Sequence, residues 1–176
     1  MTAYTIEIND HFPDSPVDQA MLRDAIRRVL VEEGIAGATI SLAIVTDAEI
    51  HRVNREFLNH DYPTDVISFL LNSPDDESTF PFYESDTDDF EDGEEFDVSP
   101  DSTFLDGELV VSLETARREA VGHGWSLQAE LLLYVVHGLL HLCGYDDLTD
   151  ESRPVMRARE REILSLWEYY PTGLET

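Results

Sequence analysis

Residues 127–147 read LQAELLLYVVHGLLHLCGYDD, and this stretch decides how the chain folds. LQAELLLYVVHGLLHLC is apolar nearly all round, the pattern of a helix buried in a core rather than lying on a surface. Ser126 stands before it as an N-cap. His137 and His141 lie four residues apart within it, which leaves their side chains about 40° apart on one face and one turn apart along the axis. Two imidazoles so placed can share one metal ion. Gly144 comes next, where a helix commonly ends in a left-handed turn that glycine enters at little cost. The chain can then reverse, and Asp147 can swing its carboxylate back to the same point. Asp146 is the rival third ligand, although one residue earlier it needs a different turn. Cys143 points elsewhere on the helix and reads as a packed apolar thiol.

His-x3-His-x2-Gly-x2-Asp is a three-ligand plan with an open fourth position, as in catalytic rather than structural zinc sites. The spacing is that of the metzincin proteases, with aspartate in the third place. Where a zinc protease carries its general-base glutamate, immediately after the first histidine, this chain has Gly138. A peptidase of that mechanism lacks its base here. Two imidazoles and a carboxylate also leave less positive charge on the ion than three imidazoles. One Zn2+ is therefore expected, with Mn2+ or another divalent ion as the alternative.

Outward from this helix, Tyr4–Ile8 alternates as a first strand and Ala38–Thr46 as a second. Between them, Ser15 and Pro16 read as N-cap and first residue of a helix running through Ala20, Met21, Ile26, Val29 and Leu30 and stopping before Gly34. Asp47 reads as the cap of a short helix carrying Ile50, Val53, Asn54 and Phe57, ended by the loop Asn59–Pro63. Asp65–Leu71 is a third strand and Leu105–Val111 a fourth. Ser112 caps a helix ending near Gly122. From Asp150 onward comes a last amphipathic helix with Val155, Met156, Ile163, Leu164 and Trp167 as its core stripe. Strands and helices in this mixed order predict an α+β domain, a small mixed sheet packed by helices, over residues 1–176.

The 176 residues include 38 acidic and 11 basic ones, a formal net charge of −27, and every cation is arginine. This excludes a globally basic nucleic-acid binder, whose affinity comes from neutralising phosphates. It fits either a protein that avoids polyanions or one built for concentrated salt, where screening shortens to about 3 Å at 1 M. Residues 72–104 hold 13 of the acidic residues and no arginine. That stretch reads as a flexible, solvated insertion, although Phe80, Phe82, Tyr83, Phe90 and Phe96 within it offer aromatic groups for docking. A single cysteine leaves no internal disulfide and points to the cytoplasm. No leader and no membrane span are expected.

HGLLHLCGYDD at 137–147 resembles the HGxLHLxGYDH signature of the YbeY endoribonuclease family. NREFLNHDYPTDVISF at 54–69 and LDGELVVSLETARREA at 105–120 resemble its two other blocks. The resemblance implies an α+β fold related to zinc metalloproteases, a bound zinc, and cleavage of single-stranded RNA in ribosomal RNA maturation and ribosome quality control. A ribosomal subunit or ribosomal protein is then the expected partner. The chain departs from the pattern at Asp147, which replaces a third histidine, and at Leu58, where a basic residue is common. Its acidic insertion is also longer than the family's usual link.

No protein base is obligatory when a metal acidifies a water and polarises a phosphoryl oxygen. With Leu58 uncharged, Arg55 and His60 are the candidate catalytic residues that steady charge growing on phosphate. A metallopeptidase or amidase of related fold is the second functional reading. A non-catalytic ribosome-assembly factor, with the metal as a staple, is the third.

Overall fold

The computed structural model describes residues 3–71, 81–82 and 104–170. The first alternating segment forms β1 (Ala3–Asp10), and α1 (Gln19–Glu32) crosses over to β2 (Gly37–Val45), which pairs parallel with β1. A parallel pair needs such a crossover, because a short turn cannot reverse the chain twice. Next come α2 (Asp47–Leu58), β3 (Val66–Leu70), the two-residue β4 (Pro81–Phe82) and β5 (Phe104–Ser112). Strand β5 runs parallel to β2 and antiparallel to β3, and β4 pairs antiparallel with β3. The mixed sheet has the order β1-β2-β5-β3-β4. Three helices follow: α3 (Leu113–His123), α4 (Leu127–Leu142) and α5 (Ser152–Leu164), with a 3-10 turn at Ser165–Trp167.

Strand alternation sorts the core onto two faces. Ile40, Leu42, Ile44, Leu109 and Val111 belong to a cluster with side chains of α1, α4 and α5. Val45, Val110, Ile67 and Phe69 join Ile50 and Leu58 of α2 in a second. Both faces of the sheet are covered, and α4 is the central helix, packed against α1, α3, α5, β3 and β5. Two glycines set how near α4 comes to the sheet. A Cβ at Gly107 would lie 2.6 Å from Cδ1 of Leu142, and one at Gly138 would lie 2.8 Å from Cδ2 of Leu109. The histidine-bearing helix is thus held close against β5 at two places along its length.

Several element boundaries differ from the sequence reading. Helix α1 starts later than Ser15–Pro16: the Ser15 hydroxyl accepts from the Val17 amide, and Asp18 caps the helix by accepting from Met21 N at 3.0 Å. Thr46 rather than Asp47 caps α2, in a reciprocal box with Glu49. Helix α3 runs past Gly122 to His123, because the left-handed residue is Gly124, at φ 71°. Val155 is 60 % exposed instead of core. The stripe of α5 is Met156, Ile163 and Leu164, with the charged Glu160 buried among them.

The strand pairing at 81–82 and Phe104, the first residue of β5, lie inside the stretch 72–104 expected to be a flexible insertion, and the rest of that stretch, 72–80 and 83–103, lies outside the described residues. Among the described residues, no helix is long and apolar enough to cross a membrane.

Candidate metal centre

The C-terminal end of α4 explains how its ligands are aimed. Tyr145 N donates to Leu140 O and Gly144 N to His141 O, both at 3.0 Å, and Gly144 has φ 96°. This is the paired closure of a Schellman turn, with glycine where a side chain would be strained. The reversal brings Asp147 back against the helix. His137 Nε2 lies 3.9 Å from Asp147 Oδ2, His141 Nε2 lies 3.6 Å from Asp147 Oδ1, and the two Nε2 atoms are 3.1 Å apart.

These separations fit the donor spacing of a metal. Zinc–nitrogen bonds of about 2.0–2.1 Å arranged tetrahedrally put neighbouring donors about 3.3 Å apart. The other ring nitrogens are both engaged: His137 Nδ1 with Glu160 Oε1 at 2.5 Å, His141 Nδ1 with the Tyr145 carbonyl at 3.0 Å. Carboxylate and carbonyl oxygens accept, so each Nδ1 donates and each neutral ring turns an Nε2 lone pair inward. Asp147 Oδ1 is buried and has no hydrogen-bond partner. Two lone pairs and a carboxylate facing one point repel each other unless a cation stands between them. His137, His141 and Asp147 form a buried group that could hold a metal ion. All three side chains are buried, with 8 %, 5 % and 7 % exposure.

Burial and the neighbouring His137 hold the His141 pKa below its ordinary value, although Asp147 pulls the other way. The neutral ring is the form that ligates. Burial, reinforced by Glu33, pushes the Cys143 thiol up to about 12. It therefore remains protonated beside the site, as a packed thiol does. Asp146, the rival ligand, is used elsewhere: its carboxylate accepts from Leu148 N and Ser152 Oγ.

A family model described as Endoribonuclease YbeY matches residues 7–168. The chain belongs to the YbeY endoribonuclease family. Proteins named Endoribonuclease YbeY from Bacillus licheniformis and Moorella thermoacetica are 35 % and 38 % identical to it. The matches cover 91 % and 90 % of this chain and 92 % and 94 % of those proteins. A third relative of that name, from Exiguobacterium sp., is 37 % identical over 85 % of this chain and 84 % of its own length. The solution structure of TM1509 from Thermotoga maritima superposes with TM-score 0.53 at 23 % identity, covering 93 % of this chain and 91 % of that one. At that identity the likeness speaks to fold alone. It agrees with the α+β, metalloprotease-like architecture expected of a YbeY chain.

In this YbeY chain the residue missed by sequence reading is Glu160. It is wholly buried on α5, and its second oxygen accepts from Arg157 at 3.3 Å. The signal was present, since an acid four residues after Met156 falls on the core stripe of its helix. Arg55 and His60 are outside the converging trio. Arg55 is exposed on α2, and His60 stacks on Tyr62 with ring centroids 5.3 Å apart. Leu58, at the site of the missing basic residue, is buried in the α2-side core. Gly138 faces the sheet, where an added Cβ would also lie 3.2 Å from Val66 Cγ2. No room exists there for a protease-type glutamate without displacing strand side chains.

Proposed function

We propose that this chain is a metal-dependent endoribonuclease that cuts single-stranded RNA, acts on ribosomal RNA in the cytoplasm, and works with a ribosomal subunit or ribosomal protein. The observation that carries the proposal is the convergence of His137, His141 and Asp147 in a chain of the YbeY family. These residues would hold one Zn2+, or Mn2+ or another divalent ion, which the hard carboxylate oxygen also suits. When bound, such an ion polarises a phosphoryl oxygen and acidifies water near neutral pH.

The chain's own side chains orient that chemistry. Glu160, backed by Arg157, fixes the His137 ring so that Nε2 faces inward, and the Tyr145 carbonyl does the same for His141. Asp147 supplies the negative charge. Arg55, exposed on α2, is available to a substrate phosphate. Gly138 lowers the standing of the peptidase reading, since it removes that mechanism's base.

A labelled single-stranded RNA tests the proposal. Chelation and His141→Ala should each abolish cleavage, and readdition of a divalent ion should restore only the unmutated protein. Cleavage that survives both treatments would overturn it. An ordinary basic nuclease loses activity steeply as salt rises, whereas a chain of net charge −27 should hold or gain.

A further inference from the structure

The two histidines are steadied by different means. Glu160 reaches His137 directly, whereas His141 Nδ1 donates to the backbone carbonyl of Tyr145. Tyr145 sits just past the end of α4, after Gly144 at φ 96°. Its N–H is taken by the Leu140 carbonyl, which closes the helix. The Tyr145 carbonyl lies on the other side of Cα and turns with ψ, one of the two soft torsions of a residue. A bond at the amide leaves that rotation open, so the aim of the carbonyl needs a second anchor.

The side chain of Tyr145 supplies one. Its hydroxyl donates to Glu33 Oε2 at 3.1 Å, and Glu33 is the C-cap residue of α1. Arg159 of α5 grips the same carboxylate, with Nε donating to Oε1 at 2.7 Å. Arg159 is fixed in turn by Glu162 Oε2 at 2.7 Å and by the carbonyl of Glu32 at 3.4 Å. The Glu33 and Arg159 side chains keep 12 % and 17 % exposure, so the pair is largely shielded from solvent and holds better than a surface ion pair. Arg159 and Glu160 are sequence neighbours about 100° apart around the helix. One faces the end of α1 and the other faces His137, so a single turn of α5 reaches the supports of both histidines.

We infer that Glu33 and Arg159 are positioning residues for the metal site: through the Tyr145 hydroxyl they hold the Tyr145 carbonyl on His141 Nδ1, and so keep His141 Nε2 turned toward His137 and Asp147. The inference rests on the reading of the trio as a metal centre. The tautomer and orientation of an imidazole follow the hydrogen bond made by its other nitrogen. Loosening the carbonyl therefore spreads the neutral His141 ring over both tautomers and weakens its grip on a cation.

Two measurements test this, one of them without metal. In the metal-free protein at about pH 8, where an ordinary imidazole is neutral, long-range proton–nitrogen NMR reads the His141 tautomer. The parent should carry the proton on Nδ1. Zn2+ affinity is then read by chelator competition. Tyr145→Phe, which removes only the hydroxyl, should raise the fraction protonated at Nε2 and weaken Zn2+ binding by about 10-fold. Glu33→Ala should do the same, and Glu33→Gln, which keeps an acceptor, should recover most of the affinity. Adding Tyr145→Phe to Glu33→Ala should cost nothing further, the mark of one shared path. Ile163→Val, a core truncation on α5, should lower the urea midpoint and leave tautomer and affinity as in the parent. Tyr145→Phe with the tautomer of the parent would overturn the inference, as would an equal affinity loss in Ile163→Val. A parent that binds no Zn2+ would instead end the metal reading, and the tautomer of Tyr145→Phe would still decide whether Glu33 and Arg159 position the ring.

Discussion

The carboxylate of Glu160 on α5 stands 2.5 Å from Nδ1 of His137 on α4, so the candidate metal site is fastened from behind by the helix that follows it in sequence. A carboxylate in this position fixes the ring tautomer and raises the basicity of the opposite nitrogen. Glu160→Gln keeps the size and one acceptor but removes the charge. It should weaken metal affinity by about 10- to 100-fold with the helical content intact, measured by chelator competition alongside circular dichroism. Affinity equal to that of the parent would show that Glu160 only fills space.

Asp147 gives a thermal prediction. The metal-free trio sets two imidazole lone pairs and an unpartnered carboxylate oxygen face to face, so an ion that binds there stabilises the fold. At a hundred times its Kd the gain is about 2.7 kcal/mol, a rise in Tm of about 5–10 °C for a chain of this length. Asp147→Ala should lose most of that rise in calorimetry with and without the divalent ion. A full rise in the variant would mean that the ion binds elsewhere.

Gly138→Glu restores the residue order of a zinc protease. Because the new Cβ would lie 2.8 Å from Leu109 and 3.2 Å from Val66, overpacking should cost about 1–3 kcal/mol in urea unfolding. No peptide hydrolysis should appear. Peptidase activity in this variant would contradict the reading of position 138 as a sheet-facing contact.

Asp47 governs an acid limb of stability. Burial raises its pKa, but hydrogen bonds from Ser112, Thr115 and Arg118 outweigh that and hold the carboxyl below its ordinary value of 3.8. A lowered folded value means a contribution complete above about pH 4 and lost as the pH falls through the folded pKa. Asp47→Ala should therefore cost about 2 kcal/mol near neutral pH, with the gap to the parent narrowing below pH 4. A gap constant from pH 7 to pH 2 would rule out the ionised carboxylate as its source.

The features legible in sequence were those fixed by local chemistry. The apolar surround of 127–143, the spacing of His137 and His141, and the glycine bend before Asp147 all depend on residues close in the chain, and the structure brings those three side chains together. Caps at Ser126 and Ser112 also follow from local hydrogen bonding. What stayed hidden depends on distant partners. Asp47 reads as a cap because aspartate is good at one, yet its carboxylate accepts from Ser112 and Thr115, more than sixty residues away. Glu160 broke an apolar stripe for the sake of an imidazole on another helix. Helical spacing puts Val155 on the core stripe, yet it is exposed, because spacing cannot say how wide a face the neighbouring helix covers.

The most direct measurement is elemental analysis of the purified protein and of its His141→Ala and Asp147→Ala variants, under conditions where all three are folded. One equivalent of divalent ion per chain in the parent, with a large loss in both variants, is the predicted result. A parent that binds no ion at micromolar concentrations, or variants that keep a full equivalent, would contradict the shared grip of two imidazoles and a carboxylate.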